Sequence, residues 1–189
     1  MLLREFPGAD DFIRAIDAAV CADCPETVTD NLRNTLCRLI RDQTVRLPAC
    51  VYEANADHYA RRELYQSEDH GYSVIAMTWG PGQGTALHDH CGMWCVEGVW
   101  HGSLEIVQYG LEKKDSDRYR FRTVGSIQAG TGSAGSLIPP YEYHTIRNPS
   151  TDSAAVSVHI YKGRMRTCAV FQPLGDQWYE RGERQLALD

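Results

Sequence analysis

The sequence lacks any surplus of positive charge. Its 19 lysines and arginines stand against 25 acidic residues, for a net charge of −6, and the basic residues are scattered as singles and pairs. With no basic stripe to track phosphates, nucleic acid is not an expected partner. Long apolar runs are missing as well: no stretch approaches membrane-spanning length, and the opening MLLREFPGADDF has neither a basic flank before an apolar core nor a small-residue cleavage site. The expectation is a soluble, cytoplasmic protein with no membrane partner. Internal repeats and low-complexity segments are absent, so residues 1–189 read as one domain, long enough to bury a core without staples. A disulfide framework is also missing. Seven cysteines, an odd number at irregular spacings, fit free thiols in a reducing compartment. Cys21 and Cys24 form a CxxC pair, but no second pair completes a zinc site, and they read as ordinary helix-end thiols.

What is present changes character near Pro48. Residues 8 to 42 read as two helices: one from Asp10 through Val20, and a Thr-capped one from Thr27 or Thr29 with Leu32, Leu36, Leu39 and Ile40 on one face. From residue 72 onward the chain becomes a series of short apolar or alternating runs, YSVIAMTW, MWCVEGVW, LEIVQY, YRFRTV, GSLIPP and AAVSVHIY, broken by Gly, Pro, Asp and Asn. That pattern predicts a mainly β fold, a sandwich or barrel over about residues 50–180, behind a helical N-terminal layer over about 8–45. Gly130–Gly135 matches GxGxxG, but it leads into SLIPP with no βαβ context and reads as a turn.

The chemistry-bearing stretch is LHDHCGMWCVEG, residues 87–98, which gathers His88, His90, Cys91 and Cys95. In an extended segment the two histidines at i and i+2 project from the same side and can reach one ion, whereas a helix separates them by about 200°. A surface coincidence is the alternative, and a third ligand would decide. The chain offers His144, in PPYEYHTIRN. A second stretch, Ala155 to Tyr161, alternates so that Ala155, Ser157, His159 and Tyr161 share one face and Val156, Val158 and Ile160 the other. In a barrel, the inward face would line a hydroxyl, an imidazole and a phenol into a proton relay. On an edge strand, the same face would simply meet water.

Together these residues resemble a known pattern. Gly82, His88, His90, Cys95 and Gly102 are spaced as the first cupin motif, with cysteine where most cupins have glutamate, while Pro139, His144 and Asn148 resemble the second, with Tyr141 at its usual glycine. The resemblance covers about residues 59 to 171 and implies a cupin β-barrel, the double-stranded β-helix or jelly roll. Ser157, His159 and Tyr161 after the third histidine resemble the Ser–His–Tyr array of the thiol dioxygenases, the cysteine dioxygenase type I family in particular. That resemblance implies Fe(II) on His88, His90 and His144, a small thiol and O2 as reactants, and Ser157 and His159 orienting a catalytic Tyr161. Zinc also accepts three histidines, so iron comes from the family and not from the spacing.

Tyr59-Ala-Arg61 resembles the family's Tyr-x-Arg segment, whose arginine binds the substrate carboxylate; Arg61 is the expected ligand, with Tyr59 assisting and the adjacent Arg62 as the alternative. Cys95 stands where the animal enzymes carry a cysteine joined to the active-site tyrosine, which implies a Cys95–Tyr161 thioether cofactor. One departure bears on substrate choice: the family's Ser-Pro-Pro after the tyrosine is Lys162-Gly163-Arg164 here. The related 3-mercaptopropionate dioxygenases use an arginine from this segment, a part open to Arg164 or Arg166. Oxidation of L-cysteine to cysteine sulfinate is therefore the leading expectation, and 3-mercaptopropionate oxidation the next. A zinc or manganese cupin isomerase and a non-catalytic ligand-binding cupin follow. A monomer or a small homo-oligomer is expected.

Overall fold

The computed structural model describes residues 5–189. Two helices come first, α1 (Ala9–Val20) and α2 (Pro25–Asp42), then a 3-10 turn (Ala49–Tyr52). The remaining chain is β: β1 (Ala60–Ser67), β2 (Tyr72–Trp79), β3 (Leu87–His88), β4 (Cys95–His101), β5 (Ser103–Asp115), β6 (Arg118–Gly130), β7 (Ala134–Leu137), β8 (His144–Arg147), β9 (Ala155–Tyr161), β10 (Thr167–Gly175) and β11 (Trp178–Gln185). The fold is mainly β and cupin-like, two sheets with a helical N-terminal region. One sheet runs β1-β2-β9-β4-β7 and the other β10-β11-β6-β5-β8-β3, with β3 also pairing β10 through Leu87–Phe171 and His88–Val170.

The helices form because their apolar residues fall on one face. Phe12, Ile16 and Ala19 of α1 and Val28, Leu32, Leu36 and Leu39 of α2 are buried, in steps of three and four. The Thr-capped start of α2 is corrected. Pro25, whose fixed φ suits the first helical position, begins the helix after an extended Cys24, and Thr29 lies inside it, donating to the Glu26 carbonyl. Both helices pack on the outer face of the first sheet, in one core with Tyr72, Val74, Ala76, Val96, Trp100, Val156, Val158 and Ile160. Gly98 of β4 makes this approach possible, since a Cβ there would lie 3.2 Å from Ile40 Cδ1 and 3.3 Å from Leu36 Cδ1.

A second core, between the sheets, holds Ile75, Met77, Trp79, Cys95, Val99, Leu104, Leu137, Ile146 and Tyr161. β9 is the central strand of its sheet, hydrogen-bonded to β2 on one side and β4 on the other, and all seven of its residues are buried. Its alternation therefore separates two cores, which excludes an edge strand facing water. The GxGxxG stretch is the tight turn between β6 and β7, where Gly132 takes a left-handed φ of 88°. Among the described residues, no helix is long and apolar enough to cross a membrane.

Candidate metal centre and its pocket

Strand pairing brings the histidines together. His88 of β3 lies directly across from His144 of β8, and their Nε2 atoms are 3.2 Å apart. His90 follows on the loop after β3, its ring centroid 5.3 Å from His88 and 5.0 Å from His144. One ligand atom from each of the three falls within 4.8 Å of the others, and they form the one such cluster among the described residues. Asp89, between the two motif histidines, points elsewhere: its Oδ1 accepts from the Ala169 and Cys91 backbone N–H groups, pinning the loop to β10.

The electrostatics suit a cation. Burial lowers His88 to about 4 and holds His90 and His144 well below the ordinary imidazole range, so all three present neutral rings. His88 Nδ1 lies 3.1 Å from the Ala86 carbonyl, which accepts its proton and leaves the Nε2 lone pair facing His144. At 3.2 Å the two Nε2 atoms can share a single proton from His144, and a dipositive ion in that proton's place would take a lone pair from each ring. The donor set of three neutral imidazoles thus fits Fe(II), and equally other borderline metals.

Beside the cluster the inward face of β9 forms a chain of contacts. Trp79 Nε1, which can only donate, gives its proton to Ser157 Oγ at 2.8 Å, and Ser157 Oγ lies 2.7 Å from His159 Nε2. The His159 ring stacks parallel to Tyr161 at 6.0 Å, and Tyr161 meets His90 edge-on at 5.7 Å. Cys95 and Tyr161 are direct cross-strand partners, both buried between the sheets. Burial raises both of these groups well above their ordinary ranges.

The pocket over the histidines is lined by Tyr59, Arg61, Met77, Trp79, Tyr161, Met165 and Cys168 among others. Arg61 is buried and faces inward; its backbone is pinned by Asp189, and Nη1 lies 3.5 Å from the Ala187 carbonyl. Alternation along β1 sends Arg62 to the opposite face, where it donates to Thr78 Oγ1 and the Glu53 carbonyl. Arg164 and Arg166 do not line the pocket: Arg164 pairs with both oxygens of Glu63 at 3.2 and 3.3 Å, and Arg166 is exposed.

The family description "Cysteine dioxygenase type I" matches residues 49–173. The chain belongs to the cysteine dioxygenase type I family. Among curated relatives, "Cysteine dioxygenase type 1" of Rattus norvegicus is 24% identical over 119 residues, 62% of this chain and 58% of that one. The chain thus spans under two thirds of the length of the rat protein. The Danio rerio protein of the same name is 21% identical over 184 residues, 85% of this chain and 90% of that one. Among solved structures, the TT1209 protein from Thermus thermophilus aligns with a TM-score of 0.47 at 22% identity, covering 60% of this chain and 91% of that one. An oxalate oxidase in complex with the substrate analogue glycolate aligns with a TM-score of 0.45 at 18% identity, over 62% and 59%.

Two residues of this family member's site escaped the sequence reading. Arg184 of β11 lines the pocket mouth with its guanidinium 5.6 Å from the centre of the Tyr59 ring, which in turn stacks on Trp79 at 4.6 Å. Arg184 sits in an exposed, charge-rich hairpin strand, and only its pairing with Cys168 of β10 turns it toward the pocket. Glu97 is buried, and burial pushes its carboxyl up to about 8. The clue was its place two residues after Cys95, on the same inward face of a strand.

Proposed function

We propose that the protein is an Fe(II)-dependent thiol dioxygenase that oxidises L-cysteine with O2 to cysteine sulfinate, on a cupin barrel formed as a single domain. The observation that carries this reading is the placement of one buried guanidinium, Arg61, in the same pocket as the His88–His90–His144 cluster and the Ser157–His159–Tyr161 face. His88, His90 and His144 would hold the iron, which would supply the redox chemistry for transfer of both atoms of O2 to the substrate sulfur.

The chain's own residues bind and orient. Arg61 offers a planar fork to the substrate carboxylate, and Arg184 adds a second positive charge at the entrance. Trp79 and Tyr59 stack into an apolar wall that excludes water from that ion pair. Ser157 accepts from Trp79 and donates to His159, which fixes the imidazole plane against Tyr161. Tyr161, kept as a neutral phenol by burial, is a proton donor toward the bound substrate. The cross-strand pairing of Cys95 with Tyr161 supports formation of a thioether between them, a two-electron oxidation with O2 as the acceptor of the two hydrogens, read as their loss in the intact mass.

The positions of Arg164, tied to Glu63, and of exposed Arg166 favour L-cysteine over 3-mercaptopropionate, because neither supplies the carboxylate ligand that the second substrate needs from this segment. The test is oxygen uptake by iron-loaded protein with each thiol in turn and identification of the product by mass. Sulfinate from L-cysteine at the higher kcat/KM is expected. No uptake with any small thiol, or a preference for 3-mercaptopropionate, defeats the assignment.

A further inference from the structure

Buried polar atoms require partners, and several beside the metal cluster have no hydrogen-bond partner: His144 Nδ1, His159 Nδ1 and Glu97 Oε2. They converge on one another. Glu97 Oε2 lies 3.4 Å from His159 Nδ1, and Glu97 Oε1 lies 3.8 Å from His144 Nδ1. Strand register puts Glu97 directly across from His159 of β9 on one side and from Gly135 of β7 on the other, so no side chain of the β7 partner contests the carboxylate. Beyond it lies a cavity of about 210 Å³ walled largely by apolar residues such as Val99, Leu104, Ile106 and Leu137.

We propose that Glu97 is a positioning residue: its two oxygens accept the Nδ1–H groups of His144 and His159, and so join the metal ligand set to the Ser157–His159–Tyr161 face. Hydrogen-bond directions elsewhere in the site lead to the same assignment. Trp79 can only donate to Ser157, which frees the serine hydroxyl to donate to His159 Nε2; the remaining proton of that ring is then on Nδ1, facing Glu97. When a metal occupies the cluster it takes the His144 Nε2 lone pair on the side facing His88, so the proton of that ring is then also on Nδ1, facing the other oxygen. Two N–H donors aimed at one carboxyl group favour its charged form, against the burial that opposes it. A carboxylate behind a metal-bound imidazole raises the basicity of the ligand and holds its ring plane. Here the same carboxylate also sets the tautomer of an imidazole that touches no metal.

The role of Glu97 belongs to the family site but does not need thiol oxidation to be correct, because its readouts are metal affinity and tautomer. In the wild-type protein loaded with diamagnetic Zn(II), nitrogen-15 NMR of the imidazoles is expected to show His144 and His159 both as Nδ1–H tautomers. A proton on Nε2 of either ring overturns the proposal. In Glu97→Gln, whose amide can accept one N–H but must donate with its other end, Co(II) or Fe(II) affinity is expected to fall by about 10–100-fold. At least one of the two rings is expected to change tautomer. Affinity within threefold of wild type with both tautomers retained sinks the idea, and since the wild-type spectrum is decisive alone, the test survives even if the variant folds poorly. Absent thiol turnover alongside the expected tautomers would remove the proposed reaction and leave the role of Glu97 standing.

Discussion

At the scale of the residue, the two neighbouring arginines make a controlled comparison. Arg61 is buried in the pocket, whereas Arg62 is spent on Thr78 and the Glu53 carbonyl. A hydrogen bond to a charged partner contributes about 1.5–3 kcal/mol, so Arg61→Ala is expected to raise KM for L-cysteine about 10–100-fold. Arg62→Ala is expected to leave KM within about twofold and to cost only the ~1 kcal/mol of stability that ordinary hydrogen bonds contribute. Steady-state kinetics of the two variants checks this, and equal effects would remove Arg61 from its assigned role. Much at this scale was legible in the sequence. The i, i+2 spacing of His88 and His90 and the alternation of Ser157, His159 and Tyr161 carry their geometry with them, because a strand repeats every two residues. Glu97 and Arg184 were not legible, since what each faces is set by register with β9 and β10, a long-range property.

At the scale of the element, the contact of α2 with β4 depends on a missing side chain. A Cβ at Gly98 already sits within 3.4 Å of Leu36 and Ile40, so the branched side chain of Gly98→Val must push the helix away. Overpacking of this kind costs about 1–3 kcal/mol, which a thermal melt would show as a clear drop in Tm. Metal affinity should change little, because the His cluster lies on the other side of the sheet; an unchanged Tm would contradict the packing described. The limits of sequence reading at this scale are physical. The run YSVIAMTW announces β2, but β1, with its ARRE start, and β11, WYERGERQ, are rich in charged residues that do not favour strands. Pairing with β2 and β10 overrides that preference. The start of α2 was misplaced because Thr27 and Thr29 offer side-chain caps, and proline at the first helical position competed successfully with them.

At the scale of the whole molecule, the site imposes a pH dependence on the fold. The native protein holds His88 at about 4 and His159 at about 3, with His90 and His144 also lowered, whereas an unfolded chain takes up protons near 6.5. Below that value the unfolded state binds more protons, so stability falls as pH drops from about 6.5 towards 3. Burial raises the carboxyl groups of Glu97 and Glu142 and so works in the opposite sense, an effect that the two N–H donors proposed for Glu97 offset. Two carboxyl groups oppose four imidazoles. The urea midpoint of metal-free protein is therefore expected to decrease steadily from pH ~6.5 to ~4, and a flat profile would contradict neutral burial of the cluster.

The direct pairing of His88 with His144 has one more consequence. These residues are far apart in the chain, on short strands, and theirs is the one register pair in the ladder between β3 and β8. An ion held there is a removable clasp across a long loop, and whatever binds the folded chain and not the unfolded one raises its stability with the logarithm of concentration. The lifetime of the chain against proteases would then track the metal supply, so that the abundance of the protein would answer to it.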